Sequence, residues 1–573
     1  MPREFKNNMN RKIKKEINTK ITPHYIVVII IAIAGFIVYY NSIIKGIFIW
    51  DDNFLVINNP VIKDFSHIKD IFTTHLFYGG KAYSNFYRPL QSLSFMIDYH
   101  FWKFNPFGYH LINVITHILN SVMAYFLVYL ISKKRDVSIF TGLLFCVHTV
   151  FSGPVNYISA RADLLNTFFF LISMISYVLY KEGYFKGYGF LIYLSSLSTF
   201  LLALLSKEIA CIVPLIFLFY LFCFSNEKMR LEKSRRNLIW VFFIIIAIYG
   251  YLRFTVLSFT EGKLIETTTA AIPLYNRLLT ASKVIMVYLR ILLIPTGLHI
   301  ERYIEPARSF MQDEVFLSMV GLFIIGCFSY FFYKTSKIKF FFIGWFFIWL
   351  VPYSNIYPLP YFIGEGYLYI PSIGFFALVA MYLSELSKKS KIWLYVVNVM
   401  LFFLIVFYGS LTIKEAEKWS DPVKLWSNTA KYSPKSYKAH LELGVALAKK
   451  GLYQDAENQM QKALELNPRD YAGYNNIGNI YKVKGDFKKA EEAYKKAIEL
   501  NPKNANSYSN LGNIYLQANR YDEAIDCYKK AIELNPYMAN FYKNLSIAYK
   551  SKGMIQEGEA SFKKAIELNP NLK

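Results

Sequence analysis

Length and composition exclude a single soluble globule. The chain has 573 residues, of which 54% are hydrophobic and 18% aromatic. Apolar runs close to the length that crosses a bilayer recur from about Ile26 to Ile413, and then they stop. The rest of the chain is polar and periodic. We therefore predict an all-α protein, with a polytopic helical membrane domain followed by a second domain outside the membrane.

Charge and cysteine content narrow the class further. The formal net charge is +24, which in a soluble protein would favour a nucleic-acid partner. Much of the excess lies in short segments between apolar runs, where Lys and Arg mark the cytoplasmic side of a membrane. The five cysteines show neither metal-ligand nor redox spacing. The sequence thus predicts no nucleic-acid partner, no metal site and no disulfide framework.

The N-terminal segment predicts a retained membrane anchor. Basic residues from Arg11 to Lys15 precede the apolar run Tyr25–Tyr40, which lacks the small-residue site at which a secretory signal is cleaved. Residues 1–24 are therefore predicted to be a basic leader in the cytoplasm.

Two adjacent carboxylates follow the first apolar run, in the motif Trp50-Asp51-Asp52. Ionised groups beside a membrane carry an energetic cost, so their presence there suggests a function. A carboxylate pair at the point where the chain leaves the bilayer suits a site that meets a lipid-borne substrate. We take Asp51 and Asp52 as the candidate catalytic residues.

The segment 45–110 is predicted to be the first extracytoplasmic loop, and it is long and rich in aromatic residues. Ile68, Ile71 and Leu76 recur at helical spacing, which suits a helix that lies in the plane of the membrane interface. Pro89 marks the start of a second such helix.

The membrane domain, 25–413, is predicted to hold about eleven spans. The basic segments Lys133-Lys134-Arg135 and Lys228–Arg236, together with Lys186, then fall on the cytoplasmic side. The predicted spans are 25–44, 111–131, 137–150, 164–180, 188–205, 209–224, 238–257, 314–333, 340–351, 370–386 and 392–413.

The apolar run Leu278–Ile294 has two interpretations, because Lys283 and Arg290 interrupt it. As an interfacial or re-entrant helix, it leaves the basic segment Lys334–Lys339 inside, as the charge rule prefers. As a full span, it inverts everything that follows. We adopt the first interpretation, which places the C-terminal domain outside the cytoplasm.

The last part of the chain is built on a 34-residue period. Asn-Pro pairs recur at positions 467, 501, 535 and 569, with Ser433-Pro434 one step earlier. Alanines recur in the same register at 463, 497, 531 and 565. This is the tetratricopeptide pattern of paired helices. It predicts an α-solenoid of four repeats over 435–570, joined to the membrane domain by a linker or degenerate repeat helix at 414–434.

Asparagines repeat at matched positions of this solenoid and are the candidate acceptor-binding residues. Amide side chains at a fixed period can bond an extended peptide backbone without reading its sequence. The arrangement resembles the asparagine ladder of the nucleocytoplasmic O-GlcNAc transferases, although Glu442 takes the position in the first repeat. The alternative is that the amides only cap or solvate the helices. The five candidates are Asn476, Asn479, Asn510, Asn513 and Asn544.

Motifs along most of the chain resemble the transmembrane and tetratricopeptide-repeat O-mannosyltransferases, within the GT-C superfamily of glycosyltransferases. No single motif is decisive, but their order together with the 34-residue repeats is specific. The motifs are Trp50-Asp51-Asp52, Tyr87-Arg88-Pro89-Leu90, Gly108-Tyr109-His110, Arg161-Ala162-Asp163, Ser206-Lys207-Glu208 and Leu368-Tyr369-Ile370-Pro371.

The resemblance implies a transferase that moves a sugar from a polyprenyl-phosphate carrier to a protein Ser or Thr hydroxyl, or to a glycan, on the extracytoplasmic face. Asp51 or Asp52 would be the general base, and cations would stabilise the leaving phosphate. The adjacent aspartates lack the Asp-x-Asp spacing of nucleotide-sugar enzymes, so no required divalent metal is expected. Candidate phosphate contacts are Arg88, Arg161 and Lys207, and candidate supporting residues are Asp163, Glu208, His110 and Glu365.

Two departures from the family pattern stand out. The acidic residue expected shortly before the Arg-Ala-Asp motif is replaced by Gly153, and the arginine expected after Glu365 is replaced by Gly366. Either the donor differs from dolichyl-phosphate mannose, or activity is reduced or lost.

The same residues also fit less specific roles. The charged pairs Arg161 with Asp163 and Lys207 with Glu208 would also serve merely to lower the cost of membrane insertion. A non-catalytic membrane-anchored scaffold or receptor would place all the work in the repeats. A transporter would show inverted repeats and helices broken at the midplane, and the sequence shows no such symmetry.

Overall fold

The computed structural model describes residues 3–80, 85–185, 187–225, 238–257, 269 and 271–572, with side chains from His24 onward except at Asn571. These residues form helices joined by loops, without a β-strand, as the all-α prediction required. The predicted basic segments at Arg11–Lys15, Lys186 and Lys228–Arg236 lie outside the described side chains.

The chain divides into two compact units, Met1–Asp421 and Pro422–Lys573. The division falls inside the predicted linker 414–434, and it groups the helix Pro422–Tyr432 with the repeats.

The first unit is a bundle of helices that are apolar over most of their length. Its helices are α1 (Arg3–Lys45), α2 (Ile68–Thr73), α3 (Pro89–Trp102), α4 (Pro106–Ser132), α5 (Arg135–Val147), α6 (Ser152–Asn156), α7 (Arg161–Glu182), α8 (Gly189–Ser206), α9 (Val213–Phe224), α10 (Trp240–Tyr251), α11 (Leu274–Leu293), α12 (Asp313–Thr335), α13 (Lys337–Leu350), α14 (Pro371–Ser387) and α15 (Lys391–Trp419).

Six of the described helices are long and apolar enough to cross a membrane, or seven if the bent pair Arg135–Val147 and Thr149–Asn156 forms one span. All eleven predicted spans fall on helical segments. Four of them, at 209–224, 238–257, 340–351 and 370–386, fall on helices shorter than the length that crosses a bilayer unaided. Helix α11, over the ambiguous run, is not among the candidate spans.

Local sequence signals fix the ends of these helices. Asn105 accepts a hydrogen bond from the N–H of Phe107, and Pro106 opens α4 at the position where proline is best tolerated. At the other end, Lys133 takes a left-handed conformation and ends the helix. Gly183 ends α7 in the same way, with a φ of 69° that suits glycine.

A buried arginine ties helix α3 to two long helices. The Arg161 side chain, at the start of α7, is 0% exposed and lies 2.9 Å from the Asp98 carboxylate of α3. It donates a 2.8 Å hydrogen bond to the carbonyl of Tyr109 and another to Asn113, both in α4. A guanidinium with partners on three sides tolerates burial because its donors are satisfied.

The second unit is a regular stack of helix pairs. Its helices are α16 (Pro422–Tyr432), α17 (Tyr437–Lys449), α18 (Tyr453–Leu466), α19 (Tyr471–Lys484), α20 (Phe487–Leu500), α21 (Ala505–Gln517), α22 (Tyr521–Leu534), α23 (Ala539–Ser551) and α24 (Ile555–Leu568).

The repeated glycines allow each helix pair to cross closely. A Cβ atom added at Gly478 would lie 2.7 Å from the Tyr494 ring, and one at Gly512 would lie 2.8 Å from Tyr528. Both tyrosine side chains are fully buried against these glycines. The 34-residue pattern of glycine and aromatic residues therefore reflects the packing of one helix on the next.

We predict that Arg161→Met destabilises the folded protein by about 3 to 5 kcal/mol, because it leaves Asp98 charged and buried without its partner. Thermal unfolding in detergent measures the change. The double variant Arg161→Met with Asp98→Leu should recover much of the lost stability, since neither charge remains. Equal destabilisation in the single and double variants would contradict the ion-pair explanation.

Candidate active site

One cavity of about 310 Å³ is lined by four of the nine candidate residues of the first unit. Asp51, Arg88, Asp163 and Glu365 all line it, although they come from separate parts of the chain. The lining residues are those at positions 50, 51, 55, 76, 77, 86, 88, 153, 154, 157, 159, 160, 163, 299–301, 361, 363–367 and 419.

The two adjacent aspartates have different environments. Asp52 is 0% exposed and lies outside the cavity lining. Its carboxylate accepts hydrogen bonds from the N–H of Ile49 and the N–H of Ser159, both at 2.9 Å, and from the Ser159 hydroxyl. It therefore joins the loop after α1 to the turn before α7. Asp51 is the member of the pair that faces the cavity.

Burial dominates the protonation of Asp52. Desolvation raises the pKa of its carboxyl to about 7, against the opposing effect of the hydrogen bonds from Ile49 and Ser159. Next to it, the Tyr157 hydroxyl accepts a 3.3 Å hydrogen bond from the N–H of Asp51. Burial and then the charge of Asp51 raise the pKa of Tyr157 well above its usual value, so its hydroxyl stays protonated.

Arg88 lies at the cavity wall and is held by Glu208. The Arg88 Nε atom is 3.1 Å from the Glu208 carboxylate, which also accepts a 2.9 Å hydrogen bond from the N–H of Tyr87. Arg253 approaches the same carboxylate at 3.8 Å. Both arginines are mostly buried, at 14% and 17% exposed. Two guanidinium groups thus share one carboxylate beside the cavity.

Lys207 reaches the cavity wall through a different partner. Its Nζ atom lies 2.6 Å from the Asp163 carboxylate, and the two side chains are 14% and 19% exposed. The sequence motifs pair Lys207 with Glu208 and Arg161 with Asp163. In the fold these partners are exchanged, so that Lys207 pairs with Asp163, Glu208 with Arg88, and Arg161 with Asp98.

Glu365 forms a third ion pair at the cavity. Its carboxylate lies 3.0 Å from Arg302 Nη2 and accepts a 3.0 Å hydrogen bond from the N–H of His299. Burial raises the pKa of Glu365 to about 7, although Arg302 opposes the shift. Arg302 had no place in the sequence motifs. It supplies a guanidinium beside Glu365 from a distant part of the chain.

Arg161 and His110 are held by partners outside the cavity. Arg161 is enclosed by Asp98 and by polar groups of α4, and it does not line the cavity. His110 is buried, with Nε2 3.4 Å from the carbonyl of Ile47. The structure gives both side chains partners that connect helices and loops, so neither is placed to touch a substrate in this cavity.

The two departures from the family pattern both occur at the cavity wall. Gly153 and Gly366 line the cavity. A Cβ atom at Gly153 would lie 3.5 Å from the Trp419 ring, and one at Gly366 would lie 3.7 Å from Pro154, which are ordinary contact distances. Longer side chains there would occupy cavity space, so the two glycines enlarge it.

Aromatic residues also line the cavity, and of those named here only Trp50 belonged to a sequence motif. Trp50, Tyr157, Tyr361, Tyr367 and Trp419 all line it. With 18% aromatic residues along the chain, no spacing singles these five out. Only the fold brings them together.

In the second unit, the repeated asparagines bond within the solenoid. Asn510 Nδ2 donates to Asn475 Oδ1 at 3.0 Å, and Asn544 Nδ2 donates to Asn513 Oδ1 at 3.1 Å. Each of these bonds joins consecutive repeats.

The other asparagines serve the helix pairs. Asn479 accepts a 2.8 Å bond from the Tyr494 hydroxyl, and Asn513 accepts a 2.7 Å bond from Tyr528. Asn476 is half-buried. The amides therefore contribute to the stack, and part of their hydrogen-bonding capacity is already used.

The four repeats of the second unit match family models of the tetratricopeptide repeat, at residues 437–470, 471–504, 505–538 and 539–572. This unit is a tetratricopeptide solenoid. A crystal structure of MamA is similar to part of the chain, with 27% identity and a TM-score of 0.25, covering 28% of this chain and 91% of that one.

Over both units, the chain is similar to proteins named protein O-mannosyl-transferases. One from Caenorhabditis elegans is 28% identical over 451 residues, which cover 77% of this chain and 62% of that protein. The human protein O-mannosyl-transferase TMTC4 is 25% identical over 460 residues, which cover 71% of this chain and 62% of its own. The chain thus spans about 62% of the length of these relatives. The resemblance to this family, predicted from the motifs, is confirmed.

We predict that Glu365→Gln becomes more stabilising, relative to the unchanged protein, as the pH rises from 5 to 8. The folded-state pKa of Glu365 is about 7 and its ordinary value is 4.5, so the folded protein keeps a proton that the unfolded chain releases between these values. The stability of the unchanged protein therefore falls as the pH rises through this window, and glutamine, which does not titrate, avoids this loss.

Differential thermal unfolding in detergent at pH 5 and pH 8 measures the effect of Glu365→Gln. The control is Glu314→Gln, because the Glu314 side chain is 77% exposed. The difference in unfolding temperature between Glu314→Gln and the unchanged protein should vary little with pH. A pH-independent difference for Glu365→Gln would contradict the raised pKa.

Proposed function

We propose that the first unit is a GT-C-type glycosyltransferase, which transfers a sugar from a polyprenyl-phosphate donor to a protein Ser or Thr hydroxyl or to a glycan. The sugar that the relatives' names favour is mannose. One observation carries this proposal: a single cavity is lined by the carboxylate Asp51 and the cation Arg88, and Lys207 is paired with Asp163 in the wall of the same cavity. A base and a phosphate site are the two parts that such a transfer requires.

Asp51 is the proposed general base. It faces the cavity, whereas Asp52 is buried and holds the loop. In the transfer, the acceptor oxygen attacks the anomeric carbon, its proton passes to the Asp51 carboxylate, and the bond from that carbon to the phosphate oxygen breaks. The polyprenyl phosphate leaves with the bonding electrons. A single displacement of this kind inverts the anomeric centre.

Arg88 and Lys207 are the proposed stabilisers of the leaving phosphate. Both are mostly shielded from water, where a charge-assisted hydrogen bond to phosphate is stronger than at an exposed site. Their present partners, Glu208 and Asp163, compensate the two cations in the absence of an anion. A phosphate that enters the cavity would compete with these carboxylates for the same donors.

The proposed site lies on the extracytoplasmic face. Helix α4 begins close to Arg161, which bonds the Tyr109 carbonyl in its first turn. The helix ends at the basic segment Lys133-Lys134-Arg135. Its 27 residues span about 40 Å, enough to cross a bilayer. The charge rule places the basic end in the cytoplasm, and the cavity therefore at the other surface.

The tetratricopeptide unit is the proposed protein-binding module, which would hold the acceptor polypeptide. This rests on the family match at 437–572 and on the repeated amides of Asn476, Asn510 and Asn544. The same match also favours a second candidate function, a membrane-anchored scaffold whose solenoid binds proteins without any transfer.

We predict that Asp51→Asn lowers the rate of sugar transfer by at least about 100-fold, because the amide takes up no proton from the acceptor. Folding should be unaffected, since Asp51 lines a cavity and Asp52 holds the loop. Transfer from a radiolabelled polyprenyl-phosphate sugar to a peptide measures the rate.

The matched control is Asp64→Asn, the same change at an exposed aspartate of the same loop. It should leave transfer unchanged. Asp52→Asn should instead lower the unfolding temperature, because an amide cannot accept all the hydrogen bonds that the carboxylate receives. Full activity in Asp51→Asn would exclude Asp51 as the base.

We predict that Asn510→Ala raises the KM for a polypeptide acceptor while the KM for the lipid-linked donor stays unchanged, because the solenoid contacts only the acceptor. Asn458→Ala, at an exposed position of α18, is the control. A scaffold gives a different result: no transfer with any donor, and protein binding that Asn510→Ala abolishes and Asp51→Asn leaves intact.

A further inference from the structure

Three aromatic rings form one wall of the cavity beside the proposed base. The rings of Trp50 and Tyr157 are 6.1 Å apart with planes inclined by 22°, and those of Tyr157 and Trp419 are 6.0 Å apart with planes inclined by 30°. At these distances near-parallel rings are offset, so part of each face is left uncovered by its neighbour. All three residues line the cavity.

The three rings come from three separate parts of the chain. Trp50 follows α1, Tyr157 lies between α6 and α7, and Trp419 is the last residue of α15. Their convergence is therefore a property of the tertiary structure. Trp50 also has a φ of 50°, in the left-handed region that tryptophan rarely adopts. Such backbone strain is typical of residues held in place for binding or catalysis.

The wall is joined directly to Asp51. Trp50 precedes it in the chain, and the Tyr157 hydroxyl accepts the hydrogen bond from its N–H at 3.3 Å. A group that lies against the rings is thus next to the carboxylate. At Gly153 the wall carries no side chain, and a Cβ atom there would come within 3.5 Å of Trp419. The cavity is open at this edge of the rings.

We propose that the wall of Trp50, Tyr157 and Trp419 binds the hexopyranose ring of the donor. A pyranose presents axial C–H bonds on one face and hydroxyl groups around its rim. Its C–H face packs on an aromatic face through the hydrophobic effect and through attraction to the negative face of the ring. This chemistry fits flat aromatic rings that lie beside carboxylates, because the carboxylates can accept hydrogen bonds from the hydroxyl groups at the rim.

This inference rests on the proposed function and divides the cavity into parts. The sugar lies against the rings next to Asp51, and the phosphate lies at Arg88 in the cavity wall and at Lys207, which is paired with the lining residue Asp163. A displacement requires the anomeric carbon between the base and the leaving phosphate, so the sugar must occupy the space between these groups. The aromatic wall then recognises the sugar and contributes nothing to the binding of the carrier phosphate.

The test compares two ligands that differ only by the sugar. Binding of a polyprenyl-phosphate hexose and of the corresponding polyprenyl phosphate is measured on the full-length protein in detergent, with the variants Trp419→Leu, Trp419→Phe, Trp50→Leu and Trp50→Phe. Each leucine substitution should lower the affinity for the sugar-bearing lipid by about tenfold and leave the affinity for the bare lipid phosphate unchanged. The phenylalanine variants keep a ring and should retain most of the affinity. Trp393→Leu, 42% exposed at the other end of α15, is the control and should change neither.

Each outcome decides the inference. Equal weakening of both ligands in Trp419→Leu and Trp50→Leu, or no weakening in either, would overturn the sugar subsite. If the unchanged protein binds the donor and transfers the sugar, and the leucine variants bind both ligands as well as it does, the proposed function is retained and the sugar subsite at the aromatic wall is rejected. If the unchanged protein binds neither ligand, both the proposed function and the sugar subsite are rejected. Unfolding temperatures identify a variant that fails to fold, in which case the phenylalanine variant at that position and the leucine variant at the other decide.

Discussion

The cavity depends on the buried carboxylate of Asp52. It accepts hydrogen bonds from Ile49 on one side and from Ser159 on the other. These residues belong to the loop after α1 and to the turn before α7, which carry Asp51 and Tyr157 into the cavity wall. A fully buried carboxyl persists only where its hydrogen-bonding capacity is met. The position of the proposed base is therefore fixed by its neighbour in the sequence, which reaches no substrate itself.

Around Asp52, three cations of the candidate site each have a carboxylate partner. Arg88 pairs with Glu208, Lys207 with Asp163, and Arg302 with Glu365. In an apolar surrounding, an unpaired cation is costly, so pairing lets the protein keep cations ready where a phosphate would arrive. The pairing has a chemical consequence, since an incoming anion must replace a carboxylate rather than fill an empty site.

The neutral part of the cavity is as informative as its charges. Glycines at 153 and 366 leave space, and rings at 50, 157 and 419 supply flat apolar surface. Where the resemblance to the O-mannosyltransferases leads one to expect an acid and an arginine, this chain has room instead. Arg302 restores a guanidinium beside Glu365 from another part of the chain. The cavity keeps the Asp51 carboxylate and the Arg88 guanidinium, and the two glycines enlarge it.

Features that depend on local periodicity could be predicted from the sequence. Apolar runs defined the membrane helices, the 34-residue register defined the solenoid, and the position of Asp51 and Asp52 after the first helix marked the region of the site. Caps such as Asn105 and Gly183 are also local. These features follow from hydrogen bonding and burial within one helix or one repeat, which residues close in the chain decide.

Tertiary structure alone decided how the charged and aromatic residues combine. The motifs suggested that Arg161 belongs with Asp163 and Lys207 with Glu208. In the fold, Arg161 pairs with Asp98, Lys207 with Asp163, and Glu208 with Arg88. It also separated Asp51 from Asp52 by burial and assembled the wall that ends at Trp419. Ion pairs and ring contacts join side chains that lie far apart in the chain, and their free energy depends on which helices pack together. No spacing along the chain encodes that, because the distance between two side chains is set by the packing of the whole bundle.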